Sequence, residues 1–293
     1  MKNRMPLVSV PVITYNSSKT IIETLDSIYN QTYPTIELII SDDCSTDNTV
    51  ELVRKWLETH KDRFARVDLL ISEKNLGVSG NSNRAGAACR GEWSKGIAGD
   101  DIMLPNCIQD CIDYVTAHPD TIWLFGKMET FGSTEEENNR VAAFFDYSFF
   151  DMIPEEQLHR LIFEGNCLPA PATFVNIQRN REIGVKNDER IPLLEDWPKW
   201  INLLRAGVKL HFVNKTIVKY RVTPGALSTT QKKSIAYQKS EALLYIYYRF
   251  PEFYKESDDK LATLRTYVQA KKLATGHFHW YVINRLMKYC GIK

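Results

Sequence analysis

The chain has 293 residues, 44% hydrophobic and 25% charged, the composition of an ordinary globular protein. Its 37 basic and 36 acidic side chains leave a net charge of +1, which argues against a nucleic-acid partner. No apolar run approaches the ~20 residues of a membrane span, and "MKNRMPLVSV" lacks the apolar core and cleavage site of a secretory leader, so a cytoplasmic protein is expected.

Leu7–Ile13, "LVSVPVI", is apolar and β-branched, which predicts a strand covered on both faces. Pro11 has no N–H to give a ladder and predicts a local irregularity. "SSKTIIETLDSIYNQ" sets Ile21, Leu25 and Ile28 at helical spacing, with Ser17 or Ser18 as the cap. "IELIIS" predicts a second buried strand. "STDNTVELVRKWLETH" predicts a capped amphipathic helix with Val50, Val53 and Leu57 on its buried face. "VDLLIS" and "WSKGIAG" predict a third and a fourth strand.

Strands alternating with helices predict an α/β fold with right-handed crossovers and a mostly parallel sheet. Ligands of such sheets bind beyond the carboxyl ends of the strands. The polar residues there are Thr14, Tyr15 and Asn16; Asp42, Asp43 and Ser45; Lys74, Asn75 and Gly77; and Asp100 with Asp101.

"NCIQDCIDYVTAHP" predicts a helix with Cys107 and Cys111 on one face. The six cysteines (Cys44, Cys89, Cys107, Cys111, Cys167, Cys290) show no metal-type pairing, and buried thiols are expected rather than a disulfide. "TIWLFGKMETF" predicts a strand, and "STEEENNR" reads as an exposed loop. "LLEDWPKWINLLRAG" sets Trp197, Trp200, Ile201 and Leu204 in helical register and stops at Gly207. "VKLHFVNKTIVKYRV" reads as a hairpin-like pair, with His211 a structural strand residue. From Lys232 the chain turns helical, aromatic and basic. Its end mixes Lys271, Lys272, Arg285 and Lys288 with Phe278, Trp280, Tyr281 and Tyr289. That stretch suits either an anionic membrane surface or a closing helix.

Two acid pairs carry the chemistry. Asp100–Asp101 interrupt an otherwise apolar run, and two adjacent carboxylates need a neutralising partner or a polar edge. The residues alone allow a helix-capping pair or a hard-cation site. Glu195–Asp196 in "LLEDW" allow a capping pair or a general base.

The stretches "VSVPVITYNSSKTIIETLDSIYNQTY", "IELIISDDCSTDNTVELV", "NLGVSGNSNRAGAACRGEWSKGIAGDDIMLP" and "EDWPKWINLLRAGVKLHFVNKTIVKYRV", in that order, resemble the family 2 glycosyltransferases with the GT-A fold. The resemblance covers roughly residues 7–225. It implies a Rossmann-like, mostly parallel sheet flanked by helices over residues 1–230, with a helical extension over 231–293. It implies inverting transfer of a sugar from a nucleotide-sugar, UDP-sugar foremost, to a glycan acceptor of a bacterial surface polysaccharide. The acceptor is lipid-linked in many relatives, which would place the enzyme at the inner face of the membrane, with peripheral contact through the tail.

Carried over by residue, the resemblance implies that Tyr15 stacks on the nucleobase, Asn16 supports the turn beside it and Asp43 hydrogen-bonds the base, Asp42 being structural. Asn75 and Asn83 either line the nucleotide-sugar pocket or shape its loop. Asp100 would ligate the Mn²⁺ or Mg²⁺ that bridges the phosphates. Asp101 would orient that loop or reach the acceptor. Asp196 would be the general base and Glu195 its supporting acid, with Trp197 and Trp200 either core or an acceptor platform. Three places depart from the family pattern: Ala98 for the first acid of the Asp-X-Asp motif, Ser82 for a frequent arginine, and Val222–Thr223 for a frequent histidine. Ala98 and Thr223 support a rival reading, a degenerate GT-A module that binds nucleotide or glycan without transfer, against which the retention of Asp100 and Asp196 argues. A sugar-nucleotide nucleotidyltransferase is set aside, because "TYNSSKT" is not a glycine-rich basic loop.

Overall fold

A computed structural model describes residues 5–191, 193–223 and 234–275. β1 (Val8–Thr14), α1 (Ile21–Tyr29), β2 (Ile36–Asp42), α2 (Thr49–His60), β3 (Arg66–Ile71) and α3 (Gly77–Ala88) alternate as the apolar pattern predicts, followed by β4 (Trp93–Ser94) and β5 (Ile97–Ala98). β1 pairs in parallel with β2, β4 and β5, and β2 in parallel with β3. Every residue of β2 is buried, as helices on both faces require, whereas the edge strand β3 is mostly half-buried.

The irregularity expected at Pro11 falls on its neighbour. The Ser9 and Ile13 carbonyls accept from Lys95 and Gly99 on the β4–β5 side, each at 2.9 Å. Pro11 shares their parity, so its missing N–H faces that side. There β4 stops at Ser94 and β5 resumes only at Ile97.

Two helix details differ from expectation. α1 has no serine cap; the backbone N–H groups of Ser17 and Ser18 donate to Thr49, the first residue of α2, and to Asp47 just before it, at 2.8 and 3.1 Å. α2 buries Thr49, Val53 and Trp56 rather than Val50, Val53 and Leu57. The indole sets that face, because its N–H reaches Asp26 of α1 at 2.7 Å.

The chain continues through β6 (Ile102–Met103), α4 (Cys107–Ala117), β7 (Trp123–Phe131), α5 (Glu135–Ala142), α6 (Pro154–Phe163), β8 (Thr173–Asn176), α7 (Ile177–Ile183), α8 (Asp196–Arg205) and β9 (Leu210–Arg221). The strand order is β3-β2-β1-β4-β8-β7-β9-β6, with β5 beside β1. β7 and β9 are parallel; β8 is antiparallel to β4 and β7, and β6 to β9. β5 lies beside β1 and β6 beside β9, so the chain crosses from mid-sheet to the far edge over Gly99–Asp101.

"STEEENNR" is helical, not a loop: Thr134 caps α5 by accepting from the Glu137 N–H, the Thr-x-x-Glu spacing of a capping box. "VKLHFVNKTIVKYRV" is one 12-residue strand, not a hairpin. Residues 213–215 bulge opposite Gly126, where a Cβ would lie 2.6 Å from Ile217.

Successive side chains of β7 face opposite cores. Leu124 joins the cluster of β1, β2, α1 and α4, while Trp123 and Phe125 join Trp200 and Leu203 of α8 and Leu161 of α6. α9 (Ile235–Leu244), a π-helical turn at Tyr245–Arg249, α10 (Phe250–Glu256) and α11 (Lys260–Thr275) follow. Leu244 and Tyr248 complete the second cluster. The five described cysteines are free, with Cys107 and Cys111 buried on α4. Among the described residues no helix is long and apolar enough to cross a membrane. Lys271 and Lys272 lie on α11, whereas Phe278, Trp280, Tyr281, Arg285, Lys288, Tyr289 and Cys290 lie outside the described residues.

Phe174 of β8 is wholly buried and stacks on Trp93 at 5.1 Å. Phe174→Ala is expected to lower stability by about 3–5 kcal/mol, read from urea unfolding at constant m-value. A loss under 1 kcal/mol would show that this core can collapse around the gap.

Candidate active site

The polar loops beyond the strands are tied to one another. Asn16 donates its N–H to Ser45 Oγ, and its Oδ1 accepts from Thr46 N–H, both at 2.8 Å, joining the ends of β1 and β2. Tyr15, half exposed, stands at this rim. Asp43 is buried, and its two oxygens accept from Leu76 N–H at 2.8 Å and Gly77 N–H at 2.9 Å. Asn75 Oδ1 shares the Gly77 N–H at 2.9 Å. Gly77 has φ +74°, which a side chain would resist. Asp43 thereby pins the loop after β3, using two of the about four acceptor sites of a carboxylate. Asp42 folds back on the Ser45 N–H at 2.9 Å.

Backbone strain marks the same region. Among the described residues, non-glycine positive φ occurs at Asn16 (51°), Cys44 (66°) and Leu194 (69°). Each touches a candidate residue in sequence, and each conformation costs about 1–2 kcal/mol.

Asp100 and Asp101 do not cap α4, whose N-cap is Asn106. Gly99 lets the chain turn against β1; a Cβ there would lie 3.0 Å from Thr14 Oγ1. Thr20 and Thr24 of the α1 region donate to the Gly99 and Asp101 carbonyls, each at 2.8 Å. Arg221, at the end of β9, donates its N–H to Asp101 Oδ1 at 2.9 Å and its Nε to the Asp100 carbonyl at 2.7 Å. The guanidinium also pairs with Glu23. Asp101 is 1% exposed, and its Oδ2 has no hydrogen-bond partner among the described residues. Burial pushes the Asp100 carboxyl up, and burial together with Asp100 pushes Asp101 up to about 8. Lys95 opposes this from within the core, its Nζ donating to the Gly96 and Pro171 carbonyls at 2.9 and 2.7 Å.

Glu195 and Asp196 open α8, and Glu195 makes no side-chain cap bond. Asp196 Oδ1 accepts from Trp197 N–H at 2.9 Å and Oδ2 from the Asn166 amide at 2.8 Å. Burial and then Asp196 push Glu195 up to about 7. Burial also raises Asp196, opposed by Lys199 and by the Asn166 and Trp197 hydrogen bonds. Trp200 is core, wholly buried; Trp197 is half-buried and donates its indole N–H to the Leu161 carbonyl at 2.8 Å.

The loop that leads into α8 rests on α3. Asn83 Nδ2 donates to the Asn187 carbonyl at 3.0 Å and to Glu189 at 2.9 Å, and its Oδ1 accepts from Asn187 N–H at 3.1 Å. Ser79 Oγ donates to the Ile191 carbonyl at 2.9 Å. The Asn83 amide is thus engaged on both ends in shaping this loop, while Asp43 fixes the start of the same helix. His211 is buried beside Tyr114, at 3.4 Å, and burial lowers its pKa.

Sequence reasoning missed Lys95, Asn166, Lys199 and Arg221 as partners of the acids. Arg221 stands in the recognisable "KYR", and Lys199 follows Asp196 at helical spacing; Lys95 and Asn166 carry no local signal.

A family model described as "Glycosyl transferase family 2" matches residues 9–178. The chain is 27% identical over 238 residues to UDP-Glc:α-D-GlcNAc-diphosphoundecaprenol β-1,3-glucosyltransferase of Escherichia coli, covering 80% of this chain and 85% of that protein. It is 37% identical over 111 residues to a chondroitin synthase of Escherichia coli, spanning 38% of this chain and only 15% of that protein. TarS 1–349 of S. aureus, solved with UDP-GlcNAc, superposes with a TM-score of 0.65 at 18% identity, covering 92% of this chain and 73% of that one. A mannosyltransferase of Pyrobaculum calidifontis, solved with GDP-Man and Mn²⁺, superposes at 0.56 with 16% identity, covering 99% and 81%. At these identities the two structures speak to the fold.

The raised carboxyls set a sign for stability against pH. Asp101 and Glu195 titrate in the unfolded chain near 3.8 and 4.5 but in the folded one at about 8 and about 7. Their contribution is full below the unfolded values and is lost as pH rises through the folded ones. Asp47 and Asp188, lowered to about 2, act in the opposite sense only at more acid pH. Without divalent cation, thermal melts should show a loss of stability between about pH 5 and pH 8.5 that is smaller in Asp101→Asn. Identical profiles for the two proteins would mean that Asp101 is not desolvated in solution.

Proposed function

The chain belongs to glycosyl transferase family 2, whose model spans more than half of it, and from that premise we propose an inverting transferase acting on a nucleotide-sugar. The donor is foremost a UDP-sugar and the acceptor a glycan of a bacterial surface polysaccharide. The observation that carries this reading is the pair of partly buried acid couples whose carboxyls burial pushes up: Asp100–Asp101 beyond β5, and Glu195–Asp196 at the start of a helix braced on α3.

Tyr15, Asn16, Asp43 and Asn75 would form the nucleotide side, Tyr15 as a stacking surface and Asp43 through its remaining lone pairs. Asp100 and Asp101 suit a hard divalent cation such as Mn²⁺ or Mg²⁺. Burial holds both carboxyls above their usual range, and the buried Asp101 Oδ2 has no partner, as expected of oxygens that await a positive charge. Among the described residues no three ligating side chains converge, so a cation would take its other ligands from donor phosphates and water. When bound, it would neutralise charge on the departing diphosphate.

Asp196 would take the proton of the acceptor hydroxyl as that oxygen attacks the anomeric carbon, opposite the diphosphate. Asn166 and the Trp197 N–H occupy one lone pair on each Asp196 oxygen and so fix the plane of the carboxylate. Glu195 would support it as a neighbouring acid. Arg221 would hold the Asp100–Asp101 loop in place from β9. The glucosyltransferase of Escherichia coli is named for a diphosphoundecaprenol-linked sugar, which supports a lipid-linked acceptor here. A lipid-linked acceptor would put the reaction at the inner face of the membrane.

Thermal melts with UDP, GDP, dTDP and CMP, each with and without Mn²⁺, test the donor class. Saturation at a hundred times Kd stabilises by about 2.7 kcal/mol, and a Mn²⁺-dependent shift with UDP that vanishes in Asp100→Asn is expected. Asp196→Asn should keep that shift while turnover falls about 10²–10⁴-fold. Undiminished turnover would remove Asp196 as the base. No shift with any nucleotide would favour the degenerate binding module, with Ala98 and Thr223 the first residues to suspect.

A further inference from the structure

Lys199 lies three residues after Asp196 and four after Glu195 on α8, a spacing that sets all three along one side of the helix. Its surroundings are aromatic. Nζ stands 4.7 Å from the centroid of Trp200 and 5.6 Å from that of Trp123, rings that are 0% and 5% exposed. An ammonium there is costly, and a Leu or Met of similar volume would fill the space without that cost. Packing therefore does not account for the charge.

The position of the amine is fixed from outside α8. Nζ donates to Asn187 Oδ1 at 3.0 Å. The Asn187 backbone is itself clamped by Asn83, its N–H donating at 3.1 Å and its carbonyl accepting at 3.0 Å. α3 thus sets where the cation stands, in place of the flexible lysine stem.

We propose that Lys199 is a positioning residue whose ammonium, fixed by Asn187 against Trp123 and Trp200, keeps the half-buried Asp196 carboxylate ionised. This deepens the reading of Asp196 as the base and rests on it. A base must be ionised before it can take a proton, and both burial and the adjacent Glu195 oppose ionisation. Lys199 opposes them for Asp196 and for Glu195 alike, while burial weakens its own hold on a proton. Glu195 and Lys199 face Asp196 from its own helix, and the uncharged Asn166 faces it from the segment after α6. Arg249 of the π-helical turn stands over the Trp197 ring at 5.1 Å.

The test is a carbon-13 titration of the full chain, labelled at aspartate Cγ and free of ligand, with the Asp196 resonance identified by its loss in Asp196→Asn. Removing the cation removes what favours the carboxylate. The Asp196 midpoint should therefore rise by about one pH unit or more in Lys199→Met and Lys199→Gln, and Lys199→Arg should stay near the native value. Lys199→Gln keeps a group that can bond Asn187, which guards against a Met variant that fails to fold. Equal midpoints in the native and neutral proteins would overturn the proposal. So would an Arg variant displaced as far as the Met variant, because charge would not be what Lys199 supplies. Undiminished turnover in Asp196→Asn would remove the base and leave the titration standing, so the two failures are distinguishable.

Discussion

Two carboxylates side by side and largely withdrawn from water set the terms for the rest of this molecule. In an environment of effective dielectric about 20, unit charges 4 Å apart interact by about 4 kcal/mol, and desolvation adds to that repulsion. The chain accepts this arrangement twice, at Asp100–Asp101 and at Glu195–Asp196. Each pair has its own answer. Arg221 and the buried Lys95 act on the first, Asn166 and Lys199 on the second. Both answers are partial, and the carboxyls stay above their usual range.

A third buried carboxylate shows what a complete answer looks like. Glu37 of β2 is wholly buried, which alone would raise its pKa. Ser9 Oγ, the N–H groups of Arg90 and Gly91, and the Arg66 guanidinium all donate to it. Together they outweigh burial, and its pKa falls below the usual value. Glu37 is satisfied by the fold and holds sheet to loop. Asp101, almost as fully buried, keeps an oxygen without a partner among the described residues. That difference in satisfaction sets Asp101 apart from a purely structural acid such as Glu37.

α3 is the brace between the two halves of the site. Asp43 receives its first backbone N–H groups, while Ser79 and Asn83 on its flank carry the 187–191 loop. That loop holds Lys199 through Asn187 and receives the C-terminal helices through Asp188, which accepts from the Tyr248 hydroxyl at 2.7 Å. The strained backbone at Asn16, Cys44 and Leu194 lies where these tethers meet the strand ends and α8. Tethers that over-determine a loop keep such strain in place.

The alternating βα pattern, the buried strands and the stop at Gly207 were legible in the sequence because they follow from local periodicity and turn chemistry. The acid pairs were legible too, since adjacent carboxylates in an apolar run have few inexpensive explanations. Where several weak local signals compete, short-range reasoning failed. "VKLHFVNKTIVKYRV" resembles a hairpin, yet it runs as one strand with residues 213–215 bulged opposite Gly126; "STEEENNR" resembles a loop, yet Thr134 accepts from Glu137 N–H and caps it as a helix. What only the tertiary structure decided is which group answers each charge. Asn166 lies 30 residues from Asp196, and Arg221 lies 120 from Asp101. No periodicity relates such residues. Desolvation and hydrogen bonding are properties of the space that the sheet and helices enclose, and that space exists only once the chain has folded.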